Sequence, residues 1–88
     1  MRVVVRAFAR FREMAGEEAT LELPEGSTLA DLLEEVVSSH PGLKKALSGP
    51  DGPIGGRAMV LLNRRGADPS DVLEEGDEVA ILPPFSGG

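Results

Sequence analysis

The sequence predicts an α+β domain in which one main helix covers one face of a mixed sheet of four to five strands. Three observations carry that expectation. Short β-branched or apolar runs stand near both ends and in the second half of the chain. One segment alternates strictly between apolar and polar residues. Another repeats its apolar residues with helical spacing.

Residues 2–8, Arg-Val-Val-Val-Arg-Ala-Phe, read as a buried strand. Residues 9–15 carry better helix formers and end at Gly16, which reads as a short helix or turn. In residues 18–23, Ala19, Leu21 and Leu23 share one face, and Glu18, Thr20 and Glu22 share the other. That is a half-exposed strand, closed by Pro24-Glu25-Gly26. Leu29, Leu32, Leu33, Val36 and Val37 then fall on one helical stripe, with Asp31, Glu34 and Glu35 opposite. Thr28 is the expected N-cap, and Asp31 faces the positive end of the helix dipole. His40-Pro41-Gly42 ends this helix, and residues 43–47 add one more helical turn. Residues 48–57, with four Gly and two Pro, read as a loop. Residues 58–62 are an apolar strand, 63–66 a turn, 68–77 an acidic connection and 78–82 the last strand. Pro83-Pro84 stops that strand because neither can donate to a ladder. We therefore expect a folded domain over residues 1–82 and a flexible tail over residues 83–88.

Composition removes several classes of function. There is no Cys, so thiol nucleophiles, zinc ribbons and iron–sulfur ligation are excluded. A net charge of −6 and only three aromatic residues argue against nucleic acid as a partner. No apolar run approaches the roughly 18–20 residues of a membrane span, and the N-terminus lacks a signal peptide's apolar region; no membrane partner and a cytoplasmic location are expected. No phosphate loop, dinucleotide fingerprint or EF-hand spacing is present. His40, the only histidine, is read as a helix-end residue rather than a catalytic base. Charge is uneven: residues 1–12 hold four Arg and no acid, and residues 66–88 hold six acids and no base. Either the two terminal strands are neighbours, or the acids steer a basic partner.

The informative chemistry lies in Pro83-Pro84-Phe85-Ser86-Gly87-Gly88. Two prolines favour extended geometry, and six extended residues reach about 20 Å. Glycines carry no Cβ, so Gly87 and Gly88 fit a slot too narrow for any side chain. The α-carboxylate of Gly88 is ionised at neutral pH and a poor acyl donor until it is adenylated. A sulfur nucleophile then displaces AMP and leaves a thiocarboxylate. The plainer reading of such an end is a frayed terminus.

Residues 73–88, Leu-Glu-Glu-Gly-Asp-Glu-Val-Ala-Ile-Leu-Pro-Pro-Phe-Ser-Gly-Gly, resemble the ending of ubiquitin-like sulfur carriers, in particular the small subunit of molybdopterin synthase. Residues 7–13, 23–33 and 40–43 are similar to the family's first strand and turn, its entry into the main helix and the segment after that helix. The resemblance implies a ubiquitin-like β-grasp fold and activation of Gly88 by a ubiquitin-activating-type adenylyltransferase. ATP is then consumed by that partner, and the chain holds no stably bound cofactor and no metal. It further implies a large catalytic subunit that receives the tail, in a heterotetramer, with sulfur passing to a pyranopterin precursor. The chain is then a sulfur-donor subunit with no active site of its own. By position, Gly88 is the activated residue, while Pro84, Phe85, Ser86 and Gly87 contact the partner. Phe85 stands where the family has a small aliphatic residue; it is either an exposed anchor for a partner or a cap folded back on the sheet.

Three other readings compete. Gly88 joins a target lysine as in the archaeal ubiquitin-like small modifiers; Lys44 and Lys45 are this chain's only lysines. The sulfur serves thiamine synthesis or tRNA thiolation. Or the chain is a non-covalent β-grasp binding module.

Overall fold

The computed structural model describes residues 1–50 and 52–83. Strand β1 (Arg2–Ala7) leads through helix α1 (Arg10–Ala15) to strand β2 (Glu18–Glu22). Helix α2 (Leu29–Ser39) follows, then a 3₁₀ turn (Pro41–Leu43) and helix α3 (Lys44–Leu47). Strands β3 (Ser48–Gly49), β4 (Gly52–Gly55), β5 (Met59–Leu62), β6 (Arg65–Gly66) and β7 (Glu78–Leu82) complete the order. The main sheet runs β2-β1-β7-β5-β6. β1 and β7 are parallel neighbours at its centre, and the other pairings are antiparallel.

Alternation along the strands decides what is buried. Val3, Val5 and Ala7 of β1 point to the core, as do Val79 and Ile81 of β7. The expected buried strand is buried on one face only: Arg2 and Arg6 lie exposed on the other face of β1. A two-sided burial would have required helices on both faces. Here α2 covers one face only, sealing it with Leu29, Leu32, Leu33 and Val36 as the stripe predicted. Val37, at the stripe's edge, is half-buried against the same core.

Helix α2 is capped reciprocally. The Asp31 N–H donates to Thr28 Oγ1 at 3.3 Å, and the Thr28 N–H donates to Asp31 Oδ2 at 2.9 Å. Thr28→Ala removes the first of these bonds and should cost about 1 kcal/mol in urea denaturation. The next two helical N–H groups are satisfied from far along the chain. Leu29 donates to the Asp71 carbonyl and Ala30 to the Pro69 carbonyl, both at 2.9 Å. The stretch 68–77 is thus part of the helix cap as well as a connection.

Its acids also shape their own turns. The Asp77 carboxylate accepts from the Glu74 N–H at 2.8 Å and from Asn63 Nδ2 at 2.9 Å. Asp68 accepts from the Ser70 hydroxyl at 2.6 Å and the Ser70 N–H at 2.9 Å. The hydroxyl bond first, then the N–H bond, hold the Asp68 carboxyl below its ordinary value, against a smaller opposing effect of desolvation. A depressed carboxyl favours folding above the unfolded value of about 3.9, and that contribution fades as pH falls through the folded value.

Residues 48–57 depart from the expected loop. β3 and β4 form a small antiparallel hairpin beside α3. Gly56 and Ala58 then donate to the Leu47 and Ala46 carbonyls at 3.0 and 2.8 Å, closing the open end of α3. A Cβ on Gly56 would stand 2.4 Å from the Ala46 carbonyl oxygen and 2.7 Å from that of Ser48. Those atoms are backbone and cannot swing aside. Gly56→Ala should therefore cost about 1–3 kcal/mol, read as a lower urea midpoint.

Candidate functional site

The tail residues proposed to carry the chemistry, Pro84, Phe85, Ser86, Gly87 and Gly88, lie outside the described residues. What the structure does place is their point of departure. β7 is bracketed by β1 and β5. β1 runs parallel to β7, and β5 antiparallel to it. The C-terminal end of β7 is therefore flanked by the end of β1 and the beginning of β5. The Phe8 N–H donates to the Ile81 carbonyl at 3.0 Å, and Met59 pairs with Leu82. Pro83 follows there, half-buried. The chain beyond Pro83 thus starts from the centre of the sheet, the most firmly tied part of the fold, rather than from a free edge.

The sheet face opposite α2 surrounds this exit with apolar and charged residues. Val4, Met59, Leu61 and Leu82 are half-buried on it. Phe8 is 37% exposed at the end of β1. The uneven charge of the two chain ends is partly explained by strand adjacency. Arg6 Nε lies 2.9 Å from Glu78 Oε2 across the β1–β7 pair. Arg6 also reaches Glu18 at 3.5 Å, and Arg64 reaches Glu78 at 3.9 Å. Arg2 and Arg12 instead pair within the N-terminal part, with Glu22 and Glu17. These pairs are solvent-exposed and contribute little to stability, so they matter chiefly for the shape of the surface potential.

Other candidates offer less chemistry. His40 is the C-cap of α2, its N–H donating to the Val36 carbonyl at 2.8 Å. It borders a small cavity of about 50 Å³ lined mainly by Val5, Ala7, Ala19, Leu21 and Val36, with Glu35 at its rim. Ser39 also lines that cavity, but among the described residues no side-chain hydrogen bond joins its hydroxyl to His40 or Glu35. Among the described residues no group of His, Asp and Glu is arranged to hold a metal ion. Among them, too, no helix is long and apolar enough to cross a membrane. In the sequence alone Lys45 stands out only as one of two lysines and Arg10 only as part of the basic N-terminal stretch; Arg57 does not stand out, and nothing there joins the three. They come from three separated segments, and only the fold brings them to one groove.

Comparison with known proteins gives this geometry a context. The chain is 38% identical over 91 residues to the molybdopterin synthase sulfur carrier subunit of Chlamydomonas reinhardtii, covering all of both chains. It is 33% identical over 84 residues to small archaeal modifier protein 1 of Haloferax volcanii, covering 94% of this chain and 97% of that one. The crystal structure of SAMP1 from Haloferax volcanii superposes with a TM-score of 0.85 at 31% identity, covering both chains fully. A chain of the complex of subunits 1 and 2 of the molybdopterin-converting factor from Helicobacter pylori matches with a TM-score of 0.68 at 27% identity, again over all of both chains. The mixed sheet with its spanning helix is the ubiquitin-like β-grasp. The ThiS family model matches residues 5–88, from the first strand through the closing Gly-Gly, and the chain belongs to the ThiS family.

Proposed function

We propose that this protein is a sulfur carrier that works through the carboxylate of Gly88, in the synthesis of molybdopterin. The observation that carries the reading is the extent of the family match. It extends from residue 5 in the first strand to Gly88, so it includes the tail to which we assign the group-transfer chemistry. The domain ends at Leu82, and residues 83–88 are the delivery arm.

In the first step the Gly88 carboxylate oxygen attacks the α-phosphate of ATP on a ubiquitin-activating-type adenylyltransferase. Pyrophosphate leaves, and an acyl-adenylate forms. A sulfide equivalent then adds to the acyl carbon and expels AMP, leaving a C-terminal thiocarboxylate. The chain contributes no acid, base or metal to either step. Its part is to present a side-chain-free end, Gly87-Gly88, where a bulkier residue would be stopped by the walls of the partner's channel. The sulfur is next handed over in a large catalytic subunit, with Pro84, Phe85 and Ser86 against that subunit's surface. The Helicobacter complex of two subunits supports such a partner, and a heterotetramer is the assembly we expect.

Intact mass tests this reading. The protein is incubated with ATP, a sulfide source and the adenylyltransferase of its source organism. A gain equal to the exchange of one oxygen for sulfur, confined to the C-terminal peptide, is expected. An unchanged mass beside an enzyme that demonstrably adenylates another carrier rejects it.

The likeness to small archaeal modifier protein 1 supports a second use of the same activated end, transfer to a lysine amine with formation of an isopeptide. Gly88-linked adducts in cells would establish that use, and their absence would confine the chain to sulfur transfer.

A further inference from the structure

The chain is acidic overall, yet the charged residues that line one groove are all cations. It is an open groove of about 480 Å³, lined by Arg10, Phe11, Met14, Gly42, Lys45, Ala46 and Arg57. No acidic residue lines it. Of the nine Lys and Arg residues in the chain, Arg2, Arg6, Arg12 and Arg64 form ion pairs. Arg10, Lys45 and Arg57 form none with the described residues, and all three are exposed. The floor is apolar. Met14 is 44% exposed there, and the Arg10 guanidinium is held 5.1 Å above the Phe11 ring.

The position is as telling as the charge. Arg10 stands two residues after Phe8, which hydrogen-bonds to Ile81. Arg57 stands two residues before Met59, which pairs with Leu82. The groove is therefore joined to the two strand ends that flank the C-terminal end of β7, the end that leads to Pro83. A protein that receives the chain beyond Pro83 approaches the end of the sheet at which these three cations stand.

We propose that the Arg10–Lys45–Arg57 groove is a docking surface for an acidic segment with an apolar anchor, on the protein that takes up the tail. Carboxylates of that segment meet the three cations, and an aliphatic side chain sits on Met14. The complementarity acts over roughly a Debye length of 8 Å at physiological salt, so it chiefly sets encounter rate and orientation. Nucleic acid is the disfavoured occupant, because the remaining surface repels phosphates and the groove offers no Tyr or Trp for stacking. The identity of the occupant rests on the sulfur-carrier reading. The groove's preference for acid does not.

The test uses the full chain, labelled with ¹⁵N and titrated at low salt with acetyl-Glu-Glu-Leu-Glu-Glu-amide. Amide shifts are expected at residues 10–14, 42–46 and 57. The double variant Arg10→Glu/Lys45→Glu should weaken binding about tenfold or more. Arg10→Lys/Lys45→Arg keeps the charge and should keep binding. Arg65→Glu, an exposed cation away from the groove, should change it little. Shifts elsewhere, no shifts, an insensitive double variant, or tighter binding of a thymidine oligonucleotide of equal charge would each overturn the proposal. No activating enzyme is present, so this result is independent of the mass measurement. In the activation assay the double variant should raise KM about tenfold and leave kcat unchanged. An unaltered KM would remove the groove from the docking step.

Discussion

Deleting Gly87 and Gly88 should abolish thiocarboxylate formation while leaving the melting temperature within about 2 °C of the full chain. The core explains the second half of that expectation. Its buried cluster begins at Val3 and ends at Ile81, and the last ladder residue is Leu82. Removing two glycines therefore takes no apolar side chain out of the core. The first half follows from chemistry. The shortened chain ends in the carboxylate of Ser86, on a residue with a side chain and two residues short of the reacting position. An effective loss of all turnover is expected, since a misplacement of even 1 Å can cost about a hundredfold. Intact mass and a thermal melt on the same sample decide the matter. A melt lower by many degrees would make the terminal glycines part of the folded body. Undiminished thiocarboxylate formation would remove Gly88 from the mechanism.

Leu33→Ala should lower stability by about 2–5 kcal/mol, and Leu33→Asp should leave the chain unfolded at 25 °C. Leu33 is 1% exposed in the centre of the α2 stripe, within the single cluster that joins the helix to β1, β5 and β7. A domain of this size has a margin of roughly 0.05–0.15 kcal/mol per residue, so the alanine variant uses up a large share of it. The aspartate variant adds a buried polar group to the lost packing, inside an apolar cluster. Urea denaturation followed by circular dichroism measures the first, and loss of the cooperative transition reports the second. A Leu33→Ala change of under about 1 kcal/mol would mean the helix is held by something other than this stripe. Glu34→Ala, one residue along on the exposed side, is the natural control.

The two predictions mark the division of labour in the molecule. The folded body is a rigid mount, and its stability lies in α2 and the central strands. The proposed reacting group, the carboxylate of Gly88, lies beyond Pro83 in the sequence. The Arg10–Lys45–Arg57 groove connects the two by giving a partner a place to grip beside the exit.

Much of this was legible in the residues alone, for a physical reason. Side-chain periodicity is a local property, set by 3.6 residues per helical turn and 2 per strand. The stripe from Leu29 to Val37, the alternation of Ala19, Leu21 and Leu23, and the Thr28 cap all lie within a few residues of one another. The Pro-Pro and Gly-Gly of the tail are equally local, which is why the candidate site could be named without any structure. What the tertiary structure alone decided depends on contacts between distant segments. β1 and β7 are central parallel neighbours, which exposes Arg2 and Arg6 and lets Arg6 meet Glu78. The carbonyls of Pro69 and Asp71 finish the cap of α2, a role invisible in a stretch that reads only as acidic. Residues 48–57 look like a loop because glycine and proline carry no periodic signal, yet the backbone of Gly56 is fixed against Ala46 and Ser48. The cationic groove draws on positions 10, 45 and 57, whose nearness exists only once strand order and register have closed the chain on itself.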